Sequence, residues 1–129
     1  MKENRKYPRI SKILPIKISS LGNEILTETQ NVSGNGAYCA ISKSIDEMTK
    51  LDIVLIVPVQ KDKLKGIKKI NCKGVVVRSQ YVPANTTYPY QVGIYFSAIK
   101  ESDRKLLLNY INTNTHMPKH SYPFDASFS

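Results

Sequence analysis

Two arginines four residues apart, Arg5 and Arg9, and the polar run Asn31-Val32-Ser33-Gly34-Asn35-Gly36 are the residues of this chain best suited to holding a ligand. Pro8 biases the residue before it towards an extended backbone, so the two guanidinium groups can reach around a planar, doubly anionic molecule. Each arginine fork can donate two parallel hydrogen bonds to phosphate oxygens or to guanine O6 and N7, and its flat face can stack on a purine. Lys6 adds a cation to the same segment but lacks both planar modes. In the second run, Asn31 and Ser33 offer donors and acceptors to a base edge, while Gly36 permits either positive φ or a close approach of the backbone. Gly34 is a weaker candidate of the same kind. Taken singly, the first group is a solvated basic terminus and the second an ordinary turn.

No catalytic set competes with them. The sequence contains no GxSxG elbow, GxxxxGK[ST] loop, GxGxxG fingerprint or HExxH helix, and a non-enzymatic protein without catalytic residues, metal or cofactor is expected. His116 and His120 have metal-ligand spacing for a helix, but Met117-Pro118 between them speaks against helical geometry and for a solvated tail. Cys39 and Cys72 stand far apart in apolar segments, as two buried free thiols would.

The 129 residues suffice for one domain with one hydrophobic core. Their net charge of +9 is concentrated in two places. Residues 1–20 carry Lys2, Arg5, Lys6, Arg9, Lys12 and Lys17 against Glu3, and residues 61–78 carry six lysines and Arg78 against Asp62. Such segments suit an anionic partner, although a lysine-rich solvated surface accounts equally well for the second. No apolar run is long enough to span a bilayer, and the polar start, Met1 to Tyr7, has no secretory core, so a cytoplasmic location is expected.

Alternation of apolar residues predicts the elements that must position these groups. A strand over 13–20 places Leu14, Ile16 and Ile18 on one face, and turn residues at 21–23 lead to a partner strand over 24–30. A third strand covers 37–41, and a buried fourth covers 51–58. A lysine-rich connection over 60–66 then leads to a fifth strand, 68–79, with Ile70, Cys72, Val76 and Arg78 on one face and Gly74 marking a bulge. The sixth places Tyr90, Val92, Ile94 and Phe96 together. Only then does helical spacing appear, from an N-cap at Ser102 through Leu107, Tyr110 and Ile111. Six strands followed by one helix predict a mainly β domain, a small antiparallel barrel or sandwich with the helix over one opening. The organisation expected is a flexible ligand-binding segment over 1–12, a barrel with its helix over 13–112, and a disordered tail over 113–129. Leu106, Leu107 and Leu108 exceed what one helix face must bury, leaving surplus apolar surface for a homodimer.

Arg-x-x-x-Arg before the first strand, followed about twenty residues later by Asn-x-Ser-x-x-Gly before the third, resembles the double motif of PilZ domains. Val92-Gly93-Ile94-Tyr95-Phe96 is similar to that family's closing glycine-containing strand, and residues 102–111 to its C-terminal helix. The resemblance implies an all-β fold, a six-stranded antiparallel barrel with one C-terminal helix. It also implies a bacterial receptor for cyclic di-GMP that changes conformation and acts on a protein effector. Arg5 and Arg9 would grip phosphate and guanine, Asn31 and Ser33 would hydrogen-bond the ligand, and Gly36 would shape the turn. Many members carry a further arginine beside the first motif, where this chain has Asn4 and Lys6. The number of bound messenger molecules is therefore left open.

Two other readings compete with it. A basic barrel could bind single-stranded nucleic acid through Tyr7, Tyr81, Tyr88 or Tyr90, but these aromatics lack regular interleaving with the cations, and no nucleic-acid partner is expected. A non-binding PilZ-like interaction scaffold would not need Arg5, Arg9, Asn31, Ser33 and Gly36 all intact.

Overall fold

Alternating apolar side chains give each strand one face to bury, and here the sheet buries it by closing on itself. A computed structural model describes residues 9–10, 13–62, 64–84 and 87–115. The elements are β1 (Arg9–Ile10), β2 (Pro15–Ser20), β3 (Asn23–Ser33), β4 (Gly36–Ile41), β5 (Lys50–Lys61), β6 (Leu64–Tyr81), β7 (Tyr90–Ala98) and α1 (Glu101–Thr115). Antiparallel pairings run β3–β2–β5–β6–β7–β4, and β4 returns to β3, closing a ring of six strands. The mainly β class, the antiparallel strands and the C-terminal helix thus follow the sequence pattern.

Ile16, Ile18, Leu51, Ile53, Leu55, Ile70, Val76, Val92, Ile94 and Phe96 fill the interior. Leu107 and Ile111 are buried from the helix side, with Leu106 and Tyr110 packed against the same core. Helix α1 touches β1, β3 and β5, so it lies across one end of the ring. Two members of the leucine triplet are therefore used within the chain, and Leu108 is half-buried.

Several expectations need correction. Arg9, placed outside any strand by its sequence, lies in β1, which adds to β3 with Arg9 opposite Ser33 and Ile10 opposite Val32. β2 pairs with β3 only as far as Glu28, and β1 takes up the same edge further along at Val32 and Ser33, where backbone donors and acceptors need partners. The lysine-rich stretch 60–66 is not a connecting loop but the tip of a hairpin in which Gln60 pairs with Lys65 and Lys61 with Leu64. Lysines on both faces hid the alternation. Arg78 does not share the face of Ile70, Cys72 and Val76, because the register shifts between Val76 and Arg78 and turns Arg78 out into solvent. The helix begins at Glu101, and the Arg104 N–H donates to the Lys100 carbonyl at 2.9 Å, so Lys100 rather than Ser102 occupies the cap position. It ends at Thr115, which moves three residues from the expected tail into the helix.

Gly74 does coincide with a register shift. A Cβ there would stand 2.6 Å from Ile53 Cδ1 and 2.9 Å from Ile94 Cγ2, so the core leaves no room for a side chain.

Candidate ligand-binding site

The motif residues reach the outer wall of the barrel through one irregularity. On β3, Ile25 and Thr27 pair with Ile18 and Ile16, and Thr29 is buried opposite Cys39, so odd-numbered residues face inward up to this point. Continued without interruption, that alternation would send Asn31 and Ser33 into the core. A shift in register between Thr29 and Asn31 inserts one residue and reverses the parity. Val32 then turns inward and is fully buried, while Asn31 and Ser33 fall on the other face, where Asn31 is half-buried and Ser33 is only 1% exposed. Thr29 anchors the bulge, since its Oγ1 accepts from the Leu14 N–H at 3.0 Å and its own N–H donates to the Leu14 carbonyl at 2.9 Å.

Strand register then extends two rows across the wall. One runs Ser33, Gly36, Tyr95, Val75, and β1 brings the backbone of Arg9 opposite Ser33 at its start. The other runs Asn31, Tyr38, Gly93, Arg78. The Tyr38 ring lies over Gly93, where a Cβ would be 2.7 Å from Tyr38 Cε1 and 3.3 Å from the Arg78 Cβ. Tyr38, Arg78 and the half-exposed Tyr95 thus continue the motif surface, and the sequence reading missed all three. The signal for Tyr38 was present, because it alternates with inward-facing Ala37 and Cys39.

Within the turn, the Ser33 hydroxyl donates to Asn35 Oδ1 at 2.7 Å and accepts from the Asn35 N–H at 3.3 Å. The Phe96 N–H donates to the Asn35 carbonyl at 2.9 Å, tying the turn to β7. Gly34 is buried in that turn. Gly36 serves the close approach of two strands rather than a positive φ, since a Cβ would collide with the Ile94 carbonyl oxygen. Asn31 Oδ1 is buried and has no hydrogen-bond partner among the described residues. A buried acceptor left unpaired is costly, and a ligand donor would relieve that cost. Arg5 and Lys6 lie outside the described residues, as do His116 and His120.

A groove of about 750 Å³ runs between the β5–β6 hairpin and α1, lined in part by Pro58, Val59, Lys65, Leu106 and Tyr110. The motif residues lie instead on the outer wall formed by β3, β4, β7 and β6. Among the described residues no cluster of His, Cys, Asp or Glu could hold a metal ion, and no helix is long and apolar enough to cross a membrane. Tyr81 and Tyr90 pack on each other with ring centroids 5.4 Å apart, at the opposite end of β6 from its lysine-rich start. They therefore form no stacking row beside those cations.

Burial pushes the Cys39 thiol up to about 12. Cys72 rises to about 11, from burial and then the Asp103 charge, with Arg104 opposing. Folding favours the neutral thiols, so their contribution to stability is complete below the ordinary value of 9.0 and is lost as pH rises through the folded values. Stability is expected to fall above about pH 9, by at most about 1.4 kcal/mol per pH unit for each thiol. Urea unfolding across that range, with Cys39→Val flattening the decline, checks this.

A closed antiparallel ring with a helix across one end, carrying a polar turn and a short N-terminal strand on its outer wall, defines a small β-barrel domain. The chain belongs to the PilZ domain family, whose model matches residues 3–113. Among solved structures, the Bacillus subtilis inhibitor of motility (MotI/DgrA) is similar, with a TM-score of 0.77 and 22% identity over 88% of this chain. The match covers 52% of that protein, so this chain spans about half its length. The PilZ domain of YcgR from Escherichia coli, solved with c-di-GMP, is similar at a TM-score of 0.59 and 11% identity, over 95% of this chain and 99% of that one. At such identities the likeness speaks for the fold. No curated protein matches the sequence.

Proposed function

We propose that this chain is a cytoplasmic receptor for cyclic di-GMP, not an enzyme, that binds the messenger through Arg5, Arg9, Asn31, Ser33 and Gly36 and passes the change to a protein effector. The observation that carries this reading is the parity reversal on β3, which puts Asn31 and Ser33 on the outer wall beside the backbone of Arg9, with Asn31 Oδ1 unpaired among the described residues. A guanine edge offers N–H donors to such an acceptor. Family membership and a relative solved with c-di-GMP add support. The arginines supply phosphate contacts and stacking. Lys6 and Gly34 have lesser parts, the first as added positive charge and the second in keeping the turn compact.

Tyr38 and Arg78 extend the surface under a base, since an aromatic ring and a guanidinium both stack on purines. Output is read through the N-terminal segment. Its strand β1 touches α1, so closure over a ligand alters the surface shared by β1 and the helix.

Isothermal calorimetry with cyclic di-GMP is the direct test, and saturable binding is expected. Tyr38→Ala or Arg78→Ala should weaken it about tenfold, the scale of one lost stacking partner. Absence of heat from folded protein at high micromolar ligand would refute the receptor reading. Undiminished affinity in both variants would confine the site to the two motifs.

A further inference from the structure

Apart from Arg78, the second basic segment is left unused by the ligand site, and the fold separates it into parts. Lys73 is held by Asp52 at 2.7 Å, and Arg78 stands on the motif wall. What remains is the tip of the β5–β6 hairpin. Past Val57, the last fully buried residue on β5, the strand runs four residues further to Lys61, about 13 Å at strand rise. Every residue from Leu64 to Lys69 is exposed.

Register divides these side chains between two faces. Lys65, Ile67 and Lys69 pair with Gln60, Pro58 and Ile56 on one, while Leu64, Gly66 and Lys68 pair with Lys61, Val59 and Val57 on the other. Each face therefore carries a large apolar residue among lysines, with Leu64 77% and Ile67 64% exposed. Lys65, Lys68 and Lys69 have no carboxylate partner among the described residues. The exposed Leu26, by contrast, sits in mixed charge beside Lys17, Glu24 and Glu28.

From this placement we infer that the β5–β6 hairpin tip docks on an anionic lipid surface, inserting Leu64 and Ile67 at the headgroup boundary while its lysines meet the lipid charges. The exposed tip carries apolar and basic side chains together on both faces, the combination that an anionic lipid interface takes up at its headgroup boundary. Apolar groups of interfacial segments enter by about 5–10 Å, within the reach of a tip of this length. A nucleic-acid strand would need aromatic platforms, and residues 57–73 contain none. The inference is independent of the ligand reading.

Sedimentation of the full chain with phosphatidylcholine vesicles, with and without phosphatidylserine, tests it. Binding is expected only with phosphatidylserine, weakening as salt rises. Combined Lys65→Glu, Lys68→Glu and Lys69→Glu should reduce it at least about tenfold. Reversing Lys43, Lys50 and Lys100 should change it far less. The chain has no tryptophan, so Ile67→Trp supplies a single reporter whose emission should shift to the blue on phosphatidylserine vesicles, with Leu26→Trp unchanged. Failure to bind, equal binding to neutral vesicles, undiminished binding by the tip variant, or no shift of the reporter in sedimented protein would each overturn the inference. So would binding to polyuridylate with none to vesicles.

Discussion

Arg9→Ala is expected to weaken cyclic di-GMP binding about a hundredfold, the scale of two lost charge-assisted hydrogen bonds, while leaving the unfolding transition close to that of the parent protein. The expectation combines sequence chemistry with one structural fact. Arg9 lies in β1, and strand pairing uses its backbone, which alanine keeps. The two-residue strand therefore survives the substitution, and the loss falls on the ligand rather than on the barrel. Arg9→Lys separates charge from geometry. It retains the cation but not the fork or the stacking plane, and should recover only a small part of the affinity. Calorimetry of the three proteins, alongside thermal melts without ligand, provides the measurement. Full recovery by lysine would mean that Arg9 acts as a simple positive charge. An equal loss of stability in the ligand-free alanine variant would mean that the residue mainly holds β1 in place.

The residue pattern alone revealed the strands, though not their closure into a ring, because most of them bury one face without interruption. Ile16 and Ile18, Cys39 and Ile41, and Val92, Ile94 and Phe96 recur at every second position and are inward in the structure, as are Leu51, Ile53, Leu55 and Val57 within a nearly continuous apolar run. What escaped notice were the places where backbone geometry departs from that alternation without a change in residue type. The extra residue near Gln30 carries no signature of its own, yet it decides that Asn31 and Ser33 face out rather than in. A similar shift beyond Val76 releases Arg78 from the core side and brings it to Gly93 and Tyr38. The hairpin tip was hidden for a different reason. Its side chains are exposed on both faces, so no burial pattern marks a ribbon held by backbone hydrogen bonds. Spacing thus located the two motifs, whereas their continuation across β7 and β6 depends on register, which a single strand's sequence does not encode.

Gly36→Ala should be among the most damaging single-methyl substitutions in the described wall, costing about 2–3 kcal/mol, as overpacking against a fixed neighbour does. Its added Cβ would meet the Ile94 carbonyl oxygen, which is backbone and cannot swing aside. β4 must then withdraw from β7 at the Gly36–Tyr95 pair, next to the point where the Phe96 N–H holds the Asn35 carbonyl. Turn and strand move together, so ligand affinity should fall along with stability. Gly66→Ala is the matched comparison. Its new methyl group would meet only Val59 Cγ2 at 3.9 Å, an ordinary contact, and the reduced freedom of the unfolded chain should leave stability unchanged or raised by about 0.4–1 kcal/mol. Gly22→Ala isolates backbone strain, since φ there is +86° with open space around it, and the cost should be about 1–2 kcal/mol with no effect on ligand. Urea unfolding of the three variants, followed by cyclic di-GMP titration, tests the ranking. A Gly36→Ala protein as stable as Gly66→Ala would show that β4 and β7 can part without cost, and the glycine of the second motif would then serve the ligand rather than the barrel.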